Sequence, residues 1–132
     1  MIKSAYIHIP FCNKICSYCG FCKMLKNDAF VDTYLNSLEK EIKKVYKNDI
    51  LDTLYIGGGT PSSLNEKELN KLFSILKIFK LNEEYEYTFE MNILDINEKL
   101  LSFLKKNRVN RLSIGIESFD ENNQKLLNRM VS

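Results

Sequence analysis

The sequence predicts an α/β fold built on parallel strands, and three observations carry that expectation. Short β-rich apolar runs alternate four times with stretches whose apolar residues recur at helical spacing. The connections are a few residues long, with no internal repeat and no low-complexity tract. The least ordinary segments each follow directly on a strand run, where parallel α/β folds gather their ligands. Alternation of this kind closes into parallel pairs through right-handed crossovers.

Ala5-Tyr6-Ile7-His8-Ile9 is the first strand, ended by Pro10. After a cysteine-bearing loop, Val31, Tyr34, Leu35, Leu38, Ile42, Val45 and Tyr46 mark a helix, with Asn27 or Asp28 as its cap. Leu51 to Ile56 reads as a second strand, broken by Gly57-Gly58-Gly59-Thr60-Pro61. A second helix starts at about Asn65, with Glu68 placed as in a capping box. Its buried stripe is Leu69, Leu72, Phe73, Leu76 and Phe79.

Tyr85 to Met91 is the third strand. Leu100, Leu101 and Leu104 mark the third helix, with Lys105 and Lys106 suited to its C-terminal dipole. Arg111 to Ile116 is the fourth strand, and Asp120 opens a fourth helix reaching Arg129. Four βα units are half of an eight-unit barrel, with an open four-stranded sheet as the alternative. The last helix stops while still polar, so the chain reads as the front portion of a larger fold.

The 132 residues suffice for one domain with a real core, and 45% hydrophobic with 27% charged residues excludes wholesale disorder. Nineteen basic and seventeen acidic residues leave a net charge of +2 with no basic block, so nucleic-acid binding has no footprint. No apolar run approaches the roughly 20 residues of a membrane span. Met1-Ile2-Lys3-Ser4 leads straight into a strand, without a signal-peptide layout, and the expected location is the cytoplasm.

All 4 cysteines, Cys12, Cys16, Cys19 and Cys22, lie in one short run spaced C-x3-C-x2-C-x2-C. A disulfide set that closes almost no loop contributes little, so a metal-binding or catalytic role is the natural reading in a reducing compartment. Thiolates so close in sequence converge on one soft centre, zinc or an iron–sulfur cluster. Structural zinc sites usually pair two hooks across a dozen or more residues, which this run lacks. The first three cysteines, C-x3-C-x2-C, are the stronger signal.

The run Tyr6-Ile7-His8-Ile9-Pro10-Phe11-Cys12-Asn13-Lys14-Ile15-Cys16-Ser17-Tyr18-Cys19-Gly20-Phe21 resembles the cluster motif of radical S-adenosylmethionine enzymes. More narrowly, it resembles the branch of oxygen-independent coproporphyrinogen III oxidase and the heme chaperone HemW. Tyr55-Ile56-Gly57-Gly58-Gly59-Thr60-Pro61-Ser62 is similar to that branch's glycine-rich segment, and Glu90-Met91-Asn92-Ile93 to its E-x-N-P motif. Asn110 to Phe119 resembles its fourth-strand signature. The likeness covers essentially the whole chain in the right order. It implies the N-terminal part of a radical SAM (β/α) partial barrel, with residues 1–132 as a core domain truncated on its C-terminal side.

The resemblance also implies cofactors and roles. Cys12, Cys16 and Cys19 would hold a [4Fe–4S] cluster with one iron left for S-adenosylmethionine, whose one-electron cleavage yields a hydrogen-abstracting radical. Tyr6 and Tyr18 would touch S-adenosylmethionine. Gly58, Gly59 and Thr60 would meet its methionine amino group, letting backbone groups approach. Glu90 would accept hydrogen bonds from its ribose or amine, and Arg129 would pair with its carboxylate. Glu117 stands where the branch commonly has glutamine, adding a negative charge near the ligand, and Ile93 replaces the usual proline.

Heme or porphyrin is the implied partner, with a heme-accepting protein and a reductant such as flavodoxin or ferredoxin. Phe21 occupies the place of the oxidase's fourth cysteine, and only Met1 to Ala5 precede Tyr6, where the oxidase has a longer segment. Both place the chain nearer the chaperone-like group, leaving oxidase and heme chaperone both open. A different class, a non-catalytic iron–sulfur or heme-binding fragment from a split or decayed gene, is the alternative. Read singly, each residue has a plainer role. Tyr6 and Tyr18 fit core aromatics, the glycines a strand-exit turn, Glu90 a solvated carboxylate, Arg129 a surface cation, and His8 a hydrogen-bonded strand histidine.

Overall fold

In the computed structural model, residues 2–12, 24–25 and 28–115 are described. In chain order the elements are β1 (Ser4–Ile9), β2 (Phe11–Cys12), β3 (Met24–Leu25), α1 (Asp28–Val45), β4 (Ile50–Gly58), α2 (Glu66–Leu76), β5 (Lys80–Asn92), α3 (Glu98–Lys106) and β6 (Arg111–Gly115). Single 3₁₀ turns at Pro61–Ser63 and Ile93–Asp95 follow β4 and β5. The fourth helix expected from Asp120 to Arg129 lies outside the described residues.

β1, β4, β5 and β6 form one sheet in that order, every neighbouring pair parallel. Within this sheet each strand lies beside the one that precedes it in the chain, the singly wound order of a growing barrel rather than a doubly wound sheet. Registers Ile7↔Ile56, Ile56↔Phe89 and Met91↔Ile114 put the apolar residues on one face. Ile7, Ile9, Leu54, Ile56, Tyr87, Phe89 and Met91 on that face join Val31, Leu35, Leu38 and Ile42 of α1, Leu69, Leu72, Phe73 and Leu76 of α2, and Leu104 of α3 in one core. The helices therefore cover a single face. The other carries the polar residues of all four strands.

Local chemistry explains the element ends. Asn65 caps α2: its side chain accepts from the Glu68 N–H at 2.8 Å, and Glu68 accepts from the Asn65 N–H at 2.8 Å. The whole stripe expected for this helix is buried, although Phe79 lies just past its end. In α3 only Leu104 is buried, with Leu100 and Leu101 half-buried. β4 runs on through Gly57 and Gly58, where the sequence suggested a break.

β5 begins five residues before the expected Tyr85. Its pairing with β4 jumps from Leu51↔Leu81 to Thr53↔Glu86, so residues 82–85 bulge opposite Asp52 alone. Asn110 then locks β6 onto β5: its Oδ1 accepts from the Tyr87 N–H and its Nδ2 donates to the Tyr85 carbonyl, both at 2.8 Å.

Candidate functional site

The uncovered face of the sheet is where the sequence motifs meet. Tyr6 pairs with Tyr55 and His8 with Gly57, while Tyr55 pairs with Thr88 and Glu90 with Ser113. These residues consequently share one polar surface, and its C-terminal rim holds Gly58, Gly59, Thr60 and Glu90.

Glu90 is the centre of that rim. Its Oε1 accepts the Gly58 N–H at 2.9 Å, and its Oε2 accepts the Tyr55 hydroxyl. The Tyr55 ring stacks on Tyr6, with centroids 5.6 Å apart and planes 20° off parallel. Tyr6 is 56% exposed, so it is no core aromatic. Its hydroxyl lies 3.4 Å from Nδ1 of His8, itself exposed on the same face. Burial first, then the Glu90 charge, pushes the Tyr6 phenol up; burial and the Glu90 hydrogen bond do the same for Tyr55. Both phenols therefore stay protonated and able to donate at neutral pH.

The glycine segment is tied in two directions. The Gly59 N–H donates to the Ile9 carbonyl at 2.7 Å and the Thr60 N–H to the Phe11 carbonyl at 2.8 Å. With Gly58 bonded to Glu90, all three N–H groups are spent inside the chain, so toward a ligand this backbone offers carbonyl oxygens. Gly58 has φ +116°, a left-handed conformation that side chains disfavour. Asn92 caps the turn after β5, its Oδ1 accepting from the Leu94 N–H at 2.9 Å. Ser62 bridges the two rims, accepting from the Asn92 N–H at 2.9 Å and donating to Asp95 at 2.7 Å.

Gly58, Gly59, Thr60, Glu90, Asn92 and Ser113 line a cavity of about 200 Å³. Whole ligands of drug size need roughly 300–1,000 Å³, so this space takes one end of a larger molecule. A groove of about 770 Å³ between α2 and α3 is larger but lies on the helix side, lined by Leu69, Leu100 and Phe103. The convergent polar groups select the smaller cavity.

Cys12 ends β2, whose pairing with β3 (Phe11↔Met24, Cys12↔Leu25) closes the root of the cysteine loop. The backbone of this root touches the glycine segment through the Phe11 carbonyl. Cys16, Cys19, Cys22, Tyr18, Glu117 and Arg129 lie outside the described residues, and among the described ones no cluster of metal-ligating side chains forms. The structure thus brings together Tyr6, Gly58, Gly59, Thr60 and Glu90. It adds Tyr55 and Ser113, which stand inside the glycine-rich and fourth-strand motifs but to which the sequence assigned no role of their own.

The profile of the Radical SAM superfamily matches residues 6–132, and the chain belongs to that superfamily. It is 44% identical over 126 residues to the heme chaperone HemW of Bacillus subtilis (strain 168), covering 91% of this chain and 33% of that protein. It is 35% identical over 131 residues to the oxygen-independent coproporphyrinogen III oxidase of Escherichia coli (strain K12), covering 96% and 29%. The solved coproporphyrinogen III oxidase of Escherichia coli, a radical SAM enzyme, matches with a TM-score of 0.79 at 34% identity, over 97% of this chain and 30% of that one. The chain spans about a third of the length of these curated relatives. The four parallel strands and their helices correspond to the N-terminal portion of that fold. No helix among the described residues is long and apolar enough to cross a membrane.

Proposed function

We propose that this chain is the cluster- and S-adenosylmethionine-binding part of a radical SAM protein that handles heme or porphyrin, closer to the heme chaperone than to the oxidase. The observation that carries the reading is the Glu90–Gly58 hydrogen bond, which joins two motif segments beside the root of the cysteine loop. The donor set fits the cofactors: thiolates for a soft iron centre, and a carboxylate with backbone carbonyls for a cationic amino group. A side chain at Gly57 would place its Cβ 2.7 Å from Glu90 Oε1, so the absence of one keeps that carboxylate in place.

The bound cluster and S-adenosylmethionine would supply one-electron, hydrogen-abstracting chemistry. The chain's own residues bind and orient. Cys12, Cys16 and Cys19 would hold the cluster, leaving one iron open to S-adenosylmethionine. Glu90 and the carbonyls of the glycine segment accept hydrogen bonds from the ligand's amine or ribose, and Tyr6 with Tyr18 borders its apolar surface. Arg129 would pair with its carboxylate, while Glu117 would add a negative charge near the ligand. A reductant such as flavodoxin or ferredoxin would deliver the electron, and a heme-accepting protein would be the onward partner.

Anaerobic reconstitution with iron and sulfide tests the reading. A brown [4Fe–4S] centre whose paramagnetic resonance spectrum shifts on adding S-adenosylmethionine is the expected result. Stoichiometric zinc without acid-labile sulfide, or no spectral change at millimolar ligand, would overturn it. Heme titration of the same sample then separates the relatives: stable heme binding supports the chaperone-like assignment, and its absence counts against it.

A further inference from the structure

Tyr55 belongs to none of the roles assigned so far, yet it is the side chain most closely engaged with Glu90. Three constraints meet on that pair. The Tyr55 hydroxyl donates to Glu90 Oε2, while Gly58 holds the other oxygen at 2.9 Å. At Gly57, between them in sequence, an added Cβ would meet both partners, 2.7 Å from Glu90 Oε1 and 2.7 Å from Tyr55 Cε1. The far side of the Tyr55 ring is closed by Tyr6, stacked at 5.6 Å. Ser113 on β6, paired in register with Glu90, lines the same cavity.

A carboxylate on a flexible stem has several rotamers, and holding it by both oxygens selects one of them. Each oxygen keeps a second acceptor position for an incoming donor. We propose that Tyr55 is a positioning residue for the ligand site, fixing the rotamer in which Glu90 presents its free lone pairs to the amine or ribose of S-adenosylmethionine. This rests on the function proposed above. It extends that reading to a residue that touches Glu90 and acts on the ligand only through it. The half-buried, raised phenol suits the role, because a donor that stays protonated across the physiological range holds the carboxylate throughout it.

The test uses the full chain, reconstituted anaerobically, as wild type, Tyr55→Phe, Glu90→Gln and the double variant. Equilibrium binding of S-adenosylmethionine should weaken about tenfold in Tyr55→Phe, the size expected for one hydrogen bond to a charged group. Glu90→Gln should weaken binding at least as much, and adding Tyr55→Phe to it should cost nothing further, since the hydroxyl acts through the carboxylate. Ligand-free carboxyl ¹³C spectra give a second readout: the Glu90 resonance should be single and sharp in wild type and averaged in Tyr55→Phe. A thermal melt of each variant controls for folding, because a merely structural role would lower the midpoint without coupling to Glu90. Wild-type affinity in Tyr55→Phe, or losses that multiply in the double variant, would overturn the inference while leaving the proposed function standing. A wild-type chain that carries its cluster but binds no S-adenosylmethionine would overturn both, and is recognised before any variant is made.

Discussion

Neighbouring glycines at the rim of the sheet serve different physical ends, and substitution should separate them. At Gly57 an added methyl meets the movable end of Glu90 and the edge of Tyr55. Gly57→Ala should therefore fold nearly as well as wild type yet lose ligand binding tenfold or more, read by the same titration. At Gly58 the φ of +116° and a Cβ 2.8 Å from the Ile9 carbonyl leave a side chain no relief. Gly58→Ala should cost about 1–3 kcal/mol in urea unfolding. Tyr87 is the opposite case, a buried hydroxyl with no hydrogen-bond partner among the described residues. Tyr87→Phe should raise stability by about 1 kcal/mol, since an unsatisfied buried hydroxyl costs about that much. Burial also pushes the phenols of Tyr6, Tyr34, Tyr55 and Tyr87 up. A folded pKa above the unfolded one contributes stability that is complete below about pH 10 and fades as pH rises further. Stability should accordingly fall on the alkaline side of pH ~10, less steeply in Tyr87→Phe, as unfolding free energy measured against pH will show.

At the scale of elements, α2 was the most legible piece because its signals are local. Asn65 and Glu68 sit three residues apart and satisfy each other's backbone N–H, and the apolar stripe has one period. Asn65→Ala should remove about 1 kcal/mol by the same unfolding measurement. The beginning of β5 was not legible. Leu81 pairs with Leu51, but the bulge of residues 82–85, with Glu83 and Glu84 exposed, interrupts the alternation that would have revealed the strand. The site divides in the same way. Glu90 and the glycines stood out as residue types in a motif. Tyr55 lay inside the glycine-rich motif without a role, because its contact with Glu90 arises from the register that sets β4 against β5, and register is a property of two strands that neither run of sequence contains. Arg108 escaped for a similar reason. It holds φ +77° ahead of β6 while its guanidinium donates to the Phe79 carbonyl at 3.1 Å, a contact set only by the return of the chain past α2.

At the scale of the whole molecule, the glycine segment is bonded to the root of the cysteine loop, so the proposed cluster would be open to loss without touching a ligand to iron. Gly59 donates to the Ile9 carbonyl at 2.7 Å and Thr60 to the Phe11 carbonyl at 2.8 Å, clamping the connection that leads into Cys12. The Ser63 hydroxyl reaches the same Phe11 carbonyl at 3.4 Å. A Cβ on Gly59 would sit 2.7 Å from the Phe11 oxygen, 3.0 Å from the Phe11 nitrogen and 3.1 Å from the Ile9 oxygen. All three are backbone atoms, and no rotamer change moves them away, so the connection itself must shift and carry Cys12 with it. Gly59→Ala should thus hold well under half the iron and acid-labile sulfide of wild type after anaerobic reconstitution, although no thiol has been removed. Cysteine variants calibrate that loss. Cys12→Ser, Cys16→Ser and Cys19→Ser should each abolish the cluster, because each removes one of the three thiolates that would anchor it. Cys22→Ser should leave iron content nearly unchanged, since a fourth thiolate on the open iron would exclude S-adenosylmethionine. Equal loss in all four serine variants would point to a centre held by every cysteine and would end the radical SAM reading of this site. Full cluster content in Gly59→Ala would show that the loop tolerates displacement of its root and that the clamp serves the ligand rim alone.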